Sequence, residues 1–207
     1  MSPGPRQGVQ SGSSNPTDCP MTRPPWLSPE QAIRQYFHAK DENRPRLMAQ
    51  AFTENATLHM HLRTGSISFP AVSSGRSAIT DVLVRNFGKT YENVYTFALE
   101  RPPVARTAEF SCDWLVVMTE KESGNLRVGC GRYDWWFDAE GSGLATRLDI
   151  TIDSMQTLPP DQATAVFGWM DTLGYPWTSA AAVTGAPPSV DELAPVLTRL
   201  GQALRTP

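Results

Sequence analysis

The chain has 207 residues, 40% of them hydrophobic, and a formal net charge of −3 at pH 7. That length suits one domain around one core, and a weakly acidic balance without a basic stripe excludes a nucleic-acid backbone as the expected partner. No apolar run approaches the ~18 residues of a bilayer span, and Arg6 has no apolar segment behind it, so the N-terminus does not read as a secretory signal and no membrane partner is expected.

Residues 1–25 are rich in Pro, Gly and Ser without periodicity, a composition that cannot offset ordering entropy and is expected to be disordered. Met1 and Met21 both stand as possible starts. Cys19, Cys112 and Cys130 cannot all pair with one another and form no C-x-x-C, the usage of free thiols in a reducing compartment, and the expected location is the cytoplasm.

Ser28-Pro29-Glu30-Gln31 reads as a capping box with Pro at the first helical position, followed by an apolar face of Ile33, Tyr36 and Phe37. A second helix is predicted over 43–52, with Leu47, Met48, Ala51 and Phe52 facing inward, and a strand over 56–62. A Ser/Gly/Pro loop, 64–75, leads to a third helix carrying Ile79, Val82, Leu83 and Phe87 on one face. Strands follow at about 93–100, 109–119, 126–137 and 144–154, separated by hairpin signals at Ser123-Gly124-Asn125 and Gly141-Ser142-Gly143.

Helices first and strands afterwards predict an α+β fold. Alternation places Phe110, Cys112, Trp114, Val116, Tyr133, Trp135, Phe137, Leu148, Ile150 and Ile152 on one face, the core side. The other face carries charges, with Asp113, Arg132 and Asp149 in a row and Asp134 opposite Arg147, mixed with Leu115, Val117, Val128 and Trp136. So apolar an outer face asks for a cover, either a partner subunit or the C-terminal segment. A helix opened by Pro159-Pro160 and closed by Gly174 bears Val166, Phe167, Met170 and Leu173, and must dock either on this face or the dimer interface, the favoured site, or over the pocket mouth as a lid. Ala180 to Pro188 reads as a linker to a tail helix interrupted by Pro195. The expected division is 1–25 disordered, 26–178 one domain with its C-terminal helix, and 179–207 linker and tail.

Tyr36-Phe37-His38-Ala39-Lys40-Asp41, Ala51-Phe52, Asn55-Ala56-Thr57-Leu58, Gly75-Arg76-Ser77-Ala78-Ile79 and Gly131-Arg132-Tyr133-Asp134-Trp135 lie within residues 28–156. In these runs the chain resembles the nuclear transport factor 2-like superfamily, SnoaL-like branch. The resemblance implies a cone, a curved antiparallel sheet wrapped around N-terminal helices, with an apolar small-molecule pocket and dimerisation through the outer sheet face. For chemistry it is broad, because the superfamily includes ketosteroid isomerases, polyketide cyclases, dehydratases and proteins of no known activity.

Tyr36 stands where the isomerases carry an oxyanion-hole tyrosine, and Tyr133 near their second donor; the alternative for both is aromatic core packing. The isomerase base position is Met60, which cannot take a proton. Asp41 is five residues from Tyr36, as in dehydratase-like relatives, or caps the next segment. His59 and His61 flank Met60 on the opposite strand face and remain the other candidates for a base; they have no third ligand at recognisable spacing, so no metal or other cofactor is expected. Met60, Phe87, Tyr91, Trp114 and Trp135 are the expected pocket lining. The reading is a small-molecule pocket protein, a cofactor-independent isomerase or dehydratase on a hydrophobic oxygen-bearing substrate, or alternatively a non-catalytic ligand-binding or assembly module.

Overall fold

The computed structural model describes residues 26–203, with Met1 and Gly4 besides. The disorder expected over 1–25, and Cys19 and Met21 with it, otherwise lies outside the described residues.

The capping box forms as read: the Ser28 hydroxyl accepts from the Gln31 amide at 3.2 Å and the Gln31 side chain accepts from the Ser28 amide at 2.9 Å. It opens α1 (Pro29–Asp41), which buries Ile33, Tyr36 and Phe37. The predicted second helix is shorter, a 3-10 segment over Pro45–Gln50. Phe52 already belongs to β1 (Phe52–Leu62), because the Ala51 carbonyl accepts from the Ala145 amide at 2.8 Å and Phe52 pairs with Ala145. Pairing with a distant strand overrides the local helical pattern there. The loop over 64–75 ends in a short edge strand, β2 (Val72–Ser74), that sequence alone did not reveal. The third helix comprises α2 (Arg76–Thr80), a π-helical stretch (Asp81–Asn86) and α3 (Phe87–Thr90).

The remaining strands are β3 (Tyr91–Ala98), β4 (Glu109–Glu120), β5 (Leu126–Phe137) and β6 (Ala145–Leu158). They join one sheet in the order β2-β1-β6-β5-β4-β3. All neighbours are antiparallel except β1 and β6, which run parallel, so the sheet is mixed where an antiparallel one was expected. The molecule is an α+β cone whose sheet closes around α1 and the third helix.

Asp113 faces Arg132 as read, but the β5–β6 hairpin is displaced by two residues: Asp134 faces Asp149, Arg132 faces Thr151, and Arg147 faces Trp136. The turn is wider than its glycines suggest. Asp138 accepts from the Ser142 amide and hydroxyl at 2.8 and 3.0 Å, and a bulge at Thr146 adds a residue. A shift of two leaves every side chain on its predicted face. Arg132 reaches Asp134 at 3.1 Å and Arg147 reaches Asp149 at 2.6 Å, so the facing carboxylates each have a cation.

There are two cores. The inner one gathers Tyr36, Phe37, Phe52, Leu58, Trp114, Tyr133 and Trp135 between helices and sheet. The outer one joins Leu115, Val117, Leu126, Val128 and Cys130 to the C-terminal segment, which supplies Val166, Trp169, Met170, Leu173, Val183, Leu193, Val196 and Leu200. That segment holds α4 (Ala163–Met170), α5 (Ala180–Gly185) and α6 (Ala194–Ala203). α5 stands where a linker was expected, capped by the Ser179 hydroxyl accepting from the Ala182 amide at 3.1 Å. Pro195 falls in the first turn of α6, where it interrupts nothing. Arg199 then locks α6 to the sheet, 2.6 Å from Asp153 and 3.2 Å from Asp113. The apolar part of the outer face, one side of the dimer expectation, is thus covered by the chain's own helices. Among the described residues, no helix is long and apolar enough to cross a membrane.

Candidate functional site

The inner core leaves a cavity of about 50 Å³ walled by Tyr36, Met60, Leu83, Phe87, Trp114, Met118, Tyr133 and Met155, and closed on one side by Ile67 and Phe69 of the loop before β2. Drug-sized sites span roughly 300–1,000 Å³; this one holds little more than a water or two as it stands. Its walls are adaptable, however. Met60, Met118 and Met155 are flexible thioethers that re-pack at small cost, and Ile67 and Phe69 are only partly buried.

Tyr36 comes from the inward stripe of α1 and Tyr133 from the inward face of β5; both are almost wholly buried. Their rings meet edge to face, centroids 6.2 Å apart. The Tyr36 hydroxyl interacts with the Tyr133 phenol, whose hydrogen bonding offsets a small part of the burial effect on Tyr36, but the contact is too poorly aligned to complete a well-formed hydrogen bond among the described residues. Burial pushes both phenols well above their usual pKa, with the Asp41 charge adding to the effect on each. They are therefore neutral donors at physiological pH, suited to a carbonyl or hydroxyl oxygen and unsuited to act as bases. Trp114 lines the same cavity, and its indole N–H is also buried without a partner. A buried donor left unpaired costs about 1–3 kcal/mol, and Tyr36 and Trp114 both belong to the cavity wall.

Lys40 also lines the cavity. Its ammonium donates to Asp41 and to the Thr96 hydroxyl, both at 2.6 Å. Asp41 does not cap the next segment. Its carboxylate also accepts from the Thr96 amide at 2.8 Å, the Thr96 hydroxyl at 2.9 Å and the Tyr175 hydroxyl at 3.2 Å. With its oxygens so engaged, it is a structural hub. Lys40 was missed in the sequence although a signal exists: with Ile33, Tyr36 and Phe37 it completes the i, i+3, i+4, i+7 stripe of α1.

Met60 points into the cavity, and His59 and His61 project from the other face. They sit 3.8 and 3.4 Å from Asp149, whose oxygens are already held by Arg147. The sheet separates both histidines from Tyr36. Among the described residues no cluster of three His, Cys, Asp or Glu is placed to hold a metal. Phe87 lines the cavity as expected, whereas Trp135 packs deeper, 5.3 Å from the Tyr36 ring, and Tyr91 lines an outer groove. Cys112 and Cys130 are free and buried, and burial pushes the Cys130 thiol up to about 12.

No family model and no curated protein matches the chain. Among solved structures it is similar to a nuclear transport factor 2-like superfamily protein from Salmonella enterica, at 17% identity and TM-score 0.47 over 59% of this chain and 87% of that one. It is similar to a protein of ketosteroid isomerase-like fold from Catenulispora acidiphila, in complex with trimethylamine, at 13% identity and TM-score 0.47 over 60% and 85% of the two chains. A hexachlorocyclohexane dehydrochlorinase matches at 10% identity and TM-score 0.48, over 62% and 85%.

Proposed function

We propose that the protein binds a small, largely apolar molecule carrying an oxygen acceptor, held inside the cone by the Tyr36 hydroxyl with Tyr133 and the Trp114 N–H beside it. The observation that carries this reading is the Tyr36 hydroxyl, buried on the wall of an apolar cavity and without a well-formed hydrogen bond. The ligand enters by displacing Ile67 and Phe69 and re-packing the methionines.

Binding without chemistry is the leading form of the proposal. The titratable side chains lining the cavity are Tyr36, Lys40 and Tyr133. The phenols are held protonated and the lysine is engaged by Asp41. A proton-transferring isomerase or dehydratase is the second reading. Two neutral phenols lining one cavity favour it, since donors of that kind would stabilise a developing oxyanion, but its base would have to come from the substrate or from Lys40 released from Asp41. Native mass spectrometry of the purified protein tests the proposal. An adduct of a small oxygen-bearing apolar compound is expected, absent or reduced in Tyr36→Phe. A ligand-free wild type that also takes up no added methyl ketone would contradict it.

A further inference from the structure

Arg127 sits on β5 with the same parity as Tyr133, so its side chain issues from the inner face, one residue from the start of the strand. Its cross-strand neighbour is Met118, a wall of the interior cavity. Six residues of strand separate Arg127 from Tyr133, about 20 Å at ~3.4 Å per residue. Arg127 is only 9% exposed, yet no carboxylate lies within ion-pair distance of it among the described residues. One guanidinium nitrogen donates to the Ser66 carbonyl in the loop before β2, and its Nε–H is buried with no partner at all. A buried arginine that lacks an anion is an incomplete arrangement, because desolvation of the charge is offset only by a paired, hydrogen-bonded counterion.

The groove that Arg127 lines has a volume of about 430 Å³. Tyr91 and Glu120 also line it, and Ile67, Phe69 and Phe87 are shared with the interior cavity. Those three side chains are the partition between groove and cavity. Glu120 is the acid that faces the groove, and it accepts from the Ser123 hydroxyl at 2.6 Å. Burial raises the Tyr91 phenol, opposed by the Arg127 charge and reinforced by Glu120, so the three groups sense one another.

We propose that Arg127 binds the carboxylate of an elongated amphipathic acid, whose apolar body passes the Ile67–Phe69–Phe87 partition and whose far end reaches Tyr36. The planar fork of arginine suits a carboxylate's two oxygens. Binding the acid exchanges the Ser66 carbonyl for a full counterion and frees the loop to open, so the same residue that holds the partition shut rewards its opening. The inference rests on the pocket reading for the ligand's far end and on Arg127 alone for its head.

The probes are 11-oxododecanoate, an acid with a ketone at its far end and long enough for the span between Arg127 and Tyr133, and its methyl ester, which differs only in the charge. Isothermal titration of the full chain at neutral pH should show the acid binding at least tenfold tighter than the ester. Arg127→Gln should abolish that preference and leave the ester within about twofold, and Glu120→Gln should strengthen the acid alone. Tyr36→Phe should weaken both probes by the same factor. Equal affinities of acid and ester for the wild type overturn the proposal. So does an equal loss of both probes in Arg127→Gln, which would make the residue a loop fastener only. If Tyr36→Phe changes neither probe while the Arg127 preference holds, the pocket reading fails and the acid site stands. If neither probe binds the wild type, both fall.

Discussion

The Lys40 ammonium and the Asp41 carboxylate, adjacent in sequence, form a contact ion pair of 2.6 Å with side chains only 6% and 2% exposed. Backbone and side chain of Thr96 join it from β3, and the Tyr175 hydroxyl joins it from beyond α4. One buried charge pair thus ties the end of α1 to the sheet and to the C-terminal segment. Removing one partner leaves the other charge buried and unpaired, a loss of about 3–5 kcal/mol. Asp41→Asn should lower the urea-unfolding free energy by that order, and Tyr175→Phe by only about 1 kcal/mol. A change below ~1 kcal/mol for Asp41→Asn would show that the hub contributes little.

At Gly131 the backbone of β6 leaves no room for a side chain on β5. A Cβ there would lie 1.9 Å from the Thr151 carbonyl oxygen and 2.9 Å from the Trp114 ring, and backbone cannot yield as a flexible side chain would. Gly131→Ala should cost at least the ~1–3 kcal/mol of an overpacked core and change the near-ultraviolet signal of Trp114. Gly168, within α4, has nothing within 4 Å of the same position. Gly168→Ala should be neutral or stabilising by up to about 1 kcal/mol. Thermal melts of both variants check the contrast.

The fold was legible where local pattern and tertiary pairing agree. The capping box, the inward face of β4, β5 and β6 and the strand bounds of β5 follow from residue type and alternation, which any two-residue slip preserves. What failed was decided at a distance. Phe52 has a helical neighbourhood but pairs with Ala145. The hairpin register depends on the Asp138 side chain, not on the glycines alone. The Ala-rich stretch before Pro187 looked like a linker until Val183 found the outer core. At the candidate site, Tyr36, Tyr133 and the inward Met60 came from pattern. Lys40 and Arg127 lay on the same apolar stripes and were passed over because charged residues are seldom expected there.

Asp149 gives the outer face a pH dependence. Burial alone would raise its carboxyl, but hydrogen bonds from Arg147 and His61 and the nearby charges of Arg147 and His59 outweigh burial and hold it below its ordinary value of 3.8. A carboxylate depressed in the folded state contributes stability that is complete above the unfolded pKa and is lost as pH falls through the lower folded value. Unfolding free energy should therefore decline below about pH 4, and part of that decline should vanish in Asp149→Asn. An identical acid limb in the variant would contradict the assignment.

The C-terminal segment covers Leu115, Val117, Leu126 and Val128. With that cover seated, the full chain should run as a monomer in light scattering at micromolar concentration, the apolar centre of the expected dimer surface being occupied. Truncation after Leu158 strips away eight large buried side chains, each worth about 1.5–3 kcal/mol gross. The truncated chain should self-associate or lose its cooperative melt. Leu193→Ala, a milder lesion, should cost about 2–5 kcal/mol. A truncated chain that stays monomeric and fully stable would place the segment outside the folding unit.

The central claim is that the buried Tyr36 hydroxyl is kept for a ligand oxygen, and the calorimetric titration of wild type and Tyr36→Phe with methyl 11-oxododecanoate tests it most directly. One hydrogen bond of about 1 kcal/mol should make the variant bind about fivefold more weakly, with unchanged folding. Equal affinity in the two proteins, or no binding to the wild type, would contradict the account.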